Sequence, residues 1–115
     1  MTIKVITDTI SKKELAILAM ETYQEMIKAV VDVETGLMAA GGELHADAES
    51  KLLTEGSHQK NLWGINIYFD KTENERVQYT SLINIKPRQG SRSLEISDAS
   101  LRAKIKAIVD KRVKW

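Results

Sequence analysis

The stretch LWGINIYF, residues 62–69, decides the fold class, because it alternates large apolar residues with small or polar ones. This period of two is the pattern of a strand with one buried face. VQYTSLINI, residues 77–85, alternates in the same way after a polar loop. The two segments predict an antiparallel hairpin with an aliphatic and aromatic inner face. Its outer face is rich in amides and hydroxyls.

Working toward the N-terminus, the pattern predicts a helix, a second hairpin and a second helix. HADAESKLLTEG, residues 45–56, predicts a short helix with Asp47 as its N-cap. Before it, residues 30–40 predict a hairpin that turns at Gly36. Further back, apolar residues at helical spacing predict a helix over residues 12–26.

The ends of the chain complete the pattern. IKVI, residues 3–6, is a short β-branched run and predicts a strand. After Pro87 ends the last strand, Ser97 or Asp98 is expected to cap a final helix. The predicted fold is therefore α+β, a single domain of residues 1–115. We expect a mainly antiparallel sheet of about five strands and three helices in the order β-α-β-β-α-β-β-α, with the helices on one side.

Composition narrows the class of protein. With 43% hydrophobic and 29% charged residues among 115, the chain has the composition of one globular domain. It has no cysteine, which excludes disulfides, a thiolate zinc site and a cysteine nucleophile. No apolar run approaches the ~20 residues of a membrane span, so we expect a cytoplasmic protein without membrane contact.

Charge gives a weaker indication of partners. The net charge is +1, but the last third is basic, which indicates either an anionic partner or a solvated helix face. Nucleic acid is an unlikely partner, because the chain has no RNP motif, KH loop or zinc finger.

Three blocks resemble a known family. GGELHADAE (41–49), GSHQKNLWGIN (56–66) and INIKPRQGSRS (83–93) are similar to the signature blocks of a small prokaryotic family catalogued as a domain of unknown function. The similarity covers nearly the whole chain. Two positions depart from the pattern, Phe69 near a family proline and Ser91 at a family asparagine. The resemblance implies a coherent fold, but it does not imply any particular activity.

An acidic cluster surrounds one of the two histidines. Glu43, His45, Asp47 and Glu49 are the candidate metal ligands, because divalent ions need converging carboxylates or imidazoles. His45 and Glu49 share a face if the helix begins by residue 45. The alternative is that Asp47 caps the helix and Glu49 complements its dipole. Whether a metal binds is left open, and no cofactor is predicted.

Two further groups complete the candidate site. If the chain is an enzyme, His45 and Glu43 are the candidate catalytic residues, with His45 as a general base. The alternative is that His45 makes a local hydrogen bond. The arginine- and serine-rich loop after Pro87 is the candidate anion-binding element, unless it is only an exposed turn. The candidate ligand-binding residues are Asn66, Asn84, Arg88, Ser91, Arg92 and Ser93.

Two functions from different classes follow. The first hypothesis is a domain that binds a small molecule or a phosphate-like anion, with hydrolysis as one version of it. It requires the acid-histidine segment and the arginine-serine loop to meet in one concave pocket. The alternative is a non-catalytic protein-interaction module or a homo-oligomeric subunit such as a homodimer. Whether the chain is an enzyme is left open.

Overall fold

A five-stranded antiparallel sheet forms the middle of the molecule in the computed structural model, which describes residues 1–115. The elements in chain order are β1 Ile3–Ile6, β2 Ile10–Ser11, α1 Lys12–Ala19, β3 Met26–Asp32, β4 Met38–Gly41, α2 His45–Thr54, β5 Leu62–Tyr68, β6 Val77–Gln78, α3 Ala99–Arg112 and β7 Val113–Lys114. The strand order is β1-β4-β3-β5-β6, and β2 and β7 form a separate parallel pair. The α+β class with three helices is confirmed.

β3 and β5 form the centre of the sheet. Their seven-residue register runs from Met26 opposite Tyr68 to Asp32 opposite Leu62. Both strands contain several β-branched residues, which fit a pleated and buried surface. The alternation in β5 predicted this strand correctly, and Trp63 lies in the core as expected.

The helices cover both faces of the sheet, so the prediction that they lie on one side was wrong. Leu15 of α1 and Ile105 of α3 belong to the larger core cluster, on the face of Ile65. Leu52 of α2 packs in a second cluster with Val30. The reason is that β3 and β4 are buried on both faces, and the apolar residues of the second face need a covering layer.

Two helix boundaries differ from those predicted. α1 ends at Ala19 and not near residue 26, because Met26 begins the central strand β3. The turn between them places Gln24 at φ 64°. α2 begins at His45, and its N-cap Leu44 makes no side-chain cap. Asp47 therefore lies in the first turn, and its prediction as the N-cap was wrong.

The second strand of the predicted 62–85 hairpin is also much shorter than expected. β6 ends at Gln78, and residues Leu82–Asn84 form a 3-10 turn. The Ser81 hydroxyl oxygen accepts from the Ile83 amide at 3.3 Å and caps that turn. The chain therefore leaves the sheet edge and folds over the α2 face. None of the helices is long and apolar enough to cross a membrane.

Candidate functional site

The sheet-facing side of α2 carries two titratable side chains. His45, Ala48, Glu49 and Leu52 are its buried residues, spaced i, i+3, i+4 and i+7. This spacing places them on one helix face. Because the helix begins at His45, His45 and Glu49 share a face, as the sequence predicted for that case. Each lines a different cavity.

His45 is held in one tautomer by the sheet. Its Nε2 lies 2.8 Å from the Ile65 carbonyl oxygen. A carbonyl only accepts, so Nε2 carries the hydrogen and Nδ1 carries the lone pair. Burial lowers the pKa of His45 from 6.5 to about 4, and the Lys28 charge adds to this, while the Ile65 carbonyl and the Asn66 side chain oppose it. The imidazole is therefore neutral at neutral pH.

The cavity at His45, here the His45 pocket, measures about 330 Å³ and is lined by polar and apolar groups. The Asn66 amide nitrogen donates to Gln78 Oε1 at 2.9 Å and to the Thr80 carbonyl at 3.3 Å, while its Oδ1 is buried without a partner. The remaining lining includes Ser81, Leu44, Leu82, Ile83 and Leu94. Leu82 is 76% exposed, so the mouth of this pocket is apolar.

A second and larger cavity, here the Lys86 cleft, lies next to Glu49. It measures about 680 Å³ and is lined by Glu49, Lys60, Leu82, Ile83, Lys86 and Arg88, among others. Lys86 is only 9% exposed. Its ammonium donates to the Gln59 carbonyl at 3.0 Å and lies 5.1 Å from the centroid of the Trp63 ring. Burial lowers the pKa of Lys86, and the Glu49 charge opposes this.

The lining of the Lys86 cleft is electropositive. Three cations, Lys60, Lys86 and Arg88, face one carboxylate, Glu49, which makes a net charge of +2. Glu49 is 9% exposed, and its Oε2 is buried without a hydrogen-bond partner. No salt bridge joins Glu49 to Lys86, so the two charges act on each other through space. Low-dielectric walls strengthen such a field.

The arginine-serine loop contributes less than the sequence suggested. Arg88 lines the Lys86 cleft, but Arg92 is exposed and lines neither cavity. The Ser91 hydroxyl donates to the Asn84 carbonyl at 2.6 Å, and the Ser93 hydroxyl donates to the Glu95 carbonyl at 2.8 Å. Both hydroxyls therefore hold the loop together.

Asn84 has a structural role. Its Oδ1 accepts from the Gly64 amide at 2.8 Å, and its Nδ2 donates to the carbonyls of Gly64 at 3.0 Å and Leu94 at 3.2 Å. The side chain thus replaces a strand neighbour along β5, where β6 no longer pairs. Asn84 is fully buried, and its Oδ1 and Nδ2 both have partners. Nothing of this amide is free for a ligand.

The other acidic candidates lie apart from both cavities. Glu43 and Asp47 line a separate hollow of about 350 Å³ beside Ile3, and the Glu43 carbonyl accepts from the Tyr23 hydroxyl at 2.6 Å. Nowhere do three or more His, Cys, Asp or Glu side chains group closely enough to hold a metal ion. The four candidate metal ligands of the acidic cluster are therefore divided between three places.

Part of the positive charge in the basic last third is paired within the protein. Arg112 donates to the carbonyls of Thr7, Asp8 and Gly36 and fixes the end of α3. Lys106 forms salt bridges with Glu73 and Asp110, and Arg102 with Glu95. At the other end of α3, the Asp98 carboxylate accepts from its first amides, as predicted for the cap. This occupies the anion-favouring end of the helix.

A family model described as a protein of unknown function (DUF5674) matches residues 4–112. The chain belongs to this family. The match includes every residue of the two cavities named above, and it confirms the predicted resemblance to a family of unknown function. No curated protein and no solved structure matches the chain. The DUF5674 description names no activity.

Sequence reasoning missed Lys60 and Lys86. A lysine before a proline is usually an exposed loop residue, and nothing in the local pattern indicated that Lys86 is buried. The only available signal was its position inside the block of residues 83–93. The cations singled out instead were Arg88 and Arg92, and of these only Arg88 reaches the Lys86 cleft.

Proposed function

We propose that this DUF5674 protein binds a small anionic molecule in the Lys86 cleft. The observation that carries the proposal is the burial of Lys86, whose ammonium has a single acceptor in the protein, the Gln59 carbonyl. An ammonium has three donors, so two are left for a ligand. Burying a charge is costly unless it is paired, and an anion bound in the cleft supplies the pairing.

The other lining residues fit the same class of ligand. Lys60 and Arg88 are exposed at the mouth of the cleft, where they attract anions and can contact them directly. A guanidinium binds phosphate or carboxylate with two parallel hydrogen bonds. The volume of about 680 Å³ is in the range of small-molecule sites.

The proposal keeps the anionic ligand of the sequence hypothesis but moves its main contact to Lys86. Hydrolysis with His45 as the base is not part of it, because the pKa of His45 of about 4 makes a weak base at neutral pH. The alternative function, a homodimer or protein-interaction module, stays a prediction. Leu82, at 76% exposed, is the apolar surface on which it would rest.

A titration with inorganic phosphate tests the proposal. At low ionic strength and pH 7, we expect backbone amide NMR shifts at Gln59, Lys60, Lys86, Arg88 and Gln89. Lys86→Met should weaken phosphate binding at least about tenfold, because a charge-assisted hydrogen bond is lost. Lys13→Gln is the matched control, since Lys13 is an exposed lysine on α1, across the sheet.

The double variant Lys60→Gln/Arg88→Gln protects the test against a folding defect in Lys86→Met. Both side chains are exposed, so their removal should leave the fold intact and still weaken phosphate binding. Two results would contradict the proposal. One is that the phosphate-induced shifts spread over the exposed lysines of α3. The other is that Lys86→Met and the double variant bind phosphate as tightly as Lys13→Gln does.

A further inference from the structure

Lys86 has the surroundings of a reactive amine. Its side chain is buried beside the Trp63 ring, and two more cations, Lys60 and Arg88, line the same cleft. Both burial and neighbouring positive charge favour the neutral form of an amine. The neutral amine is the nucleophile in reactions of lysine with carbonyl compounds. The pKa of Lys86 is lowered by burial, so this form is more populated than in an exposed lysine.

Glu49 can serve this amine as a proton carrier. It lines the same cleft, forms no hydrogen bond with the protein and has an unpaired buried oxygen. A carboxylate within reach of a reacting carbonyl can deliver a proton and take it back. The Lys86 cleft thus combines an amine, a carboxylate and two cations for an anionic group.

We propose that the Lys86 cleft takes a small anionic aldehyde or ketone, and that Lys86 forms an imine with its carbonyl carbon. This inference rests on the anion binding proposed above, with Lys60 and Arg88 holding the anionic group. The ammonium form of Lys86 attracts the ligand, and the neutral form reacts.

The chemistry balances without an oxidant or a reductant. The lone pair of Lys86 Nζ attacks the carbonyl carbon, a C–N bond forms, and the electron pair of the C=O π bond moves to the oxygen. The Glu49 carboxylate takes one proton from the nitrogen and passes it to this oxygen, which gives a carbinolamine. It then takes the second proton from the nitrogen and passes it to the hydroxyl, so that the C–O bond breaks, a C=N bond forms and water leaves. The sum is amine plus carbonyl compound to imine plus water.

Pyridoxal 5′-phosphate is a suitable probe, because it joins an aldehyde to a phosphate. The protein is incubated with substoichiometric probe, the imine is reduced with borohydride to a stable secondary amine, and peptide mass spectrometry locates it. We expect Lys86 to carry at least about ten times the label of any exposed lysine, as a desolvated amine should. Excess inorganic phosphate should suppress the labelling of Lys86 and leave that of Lys13 unchanged.

Two measurements on the wild-type protein separate the two proposals, because the phosphate shifts report anion binding and the label map reports the imine. In Lys86→Arg the label at position 86 should disappear, because a guanidinium forms no imine under these conditions. Label spread evenly over surface lysines, or concentrated on Lys60, would overturn the imine proposal. Anion binding would then still stand on the amide shifts that phosphate causes at residues 59–60, 86 and 88–89. The wild-type label map decides the question even if Lys86→Arg fails to fold.

Discussion

The His45 pocket and the Lys86 cleft share a wall at Leu82 and Ile83. The buried base in each differs in its charge and in the number of donors left without an acceptor. His45 loses its charge, because burial lowers its pKa to about 4 and Ile65 takes its only hydrogen. Lys86 has one acceptor and two free donors. The comparison shows that one buried base has its N–H bonded within the protein, whereas the other keeps two donors without an acceptor.

The largest expected effect is a loss of stability that disrupts both cavities. Asn84→Leu removes the amide that holds the shared wall to β5 and leaves the Gly64 amide and two carbonyls without partners. We expect the free energy of unfolding to fall by at least about 3 kcal/mol, because each buried unpaired group costs about 1–3 kcal/mol. Urea denaturation measures this loss.

Asn74→Leu is the matched control, because Asn74 is exposed in the loop before β6. Its effect should stay within about 0.5 kcal/mol. If the two variants unfolded at the same urea concentration, Asn84 would not hold the wall.

The role of Asn84 also shows where sequence reasoning succeeded and where it stopped. The central strand β5 and the helix α3 were predicted, because an apolar residue at every second or every third to fourth position is a local signal. The strand predicted over residues 77–85 had the same alternation. The strand itself ends at Gln78, because Ser81 caps a 3-10 turn and Asn84 pairs through its side chain. The Ser81 cap is a local contact between residues two positions apart, whereas the Asn84 contact is tertiary, and no local pattern contains it.

The candidate site divides in the same way. The shared face of His45 and Glu49 followed from helical spacing, given the right starting residue. The burial of Lys86 depends on Gln59 and Trp63, more than 20 positions away in the sequence. Residue spacing along α2 was therefore enough to predict which of its residues share a face. That Lys86 lies in the cleft next to this face could be seen only in the folded structure.

The next largest expected effect is the pH dependence of stability that His45 causes. Because its folded pKa lies below the unfolded value of 6.5, the unfolded chain binds more protons between pH 6.5 and about 4. Stability from this group is therefore complete above pH 6.5 and is lost as the pH falls toward 4. The loss should approach about 3 kcal/mol. Urea denaturation at a series of pH values measures it.

His45→Gln keeps an N–H donor and removes the titration, so its stability profile should lose most of the wild-type slope over this pH range. His58→Gln is the control, since His58 is exposed and should leave the slope as in the wild type. Asp32 does not account for the slope of stability against pH in this range. Although burial alone would raise its pKa, hydrogen bonds from Ser57, Thr35 and Glu34 lower it below 3.8, so its contribution is lost only at lower pH. A wild-type profile without a slope between pH 4 and 6.5 would contradict the buried neutral imidazole.

The smallest expected effect is a change in the phosphate affinity of the Lys86 cleft. Glu49→Gln keeps the shape of the side chain and removes the one negative charge facing Lys60, Lys86 and Arg88. Phosphate should then bind about threefold more tightly, because the repulsion from a charge across a solvent-filled cleft is weak and is now lost. Calorimetric titration measures the change. Asp47→Asn, on the same helix but outside the cleft, should leave the affinity unchanged.

The same Glu49→Gln variant should form the Lys86 imine about tenfold more slowly than wild type, because the proton carrier is gone. Tighter phosphate binding combined with slower labelling is a result that a merely structural carboxylate would not give. If binding and labelling both rose, Glu49 would act only through its charge. If neither changed, the carboxylate would not face the bound anion, and Lys86 alone would distinguish the cleft from the His45 pocket.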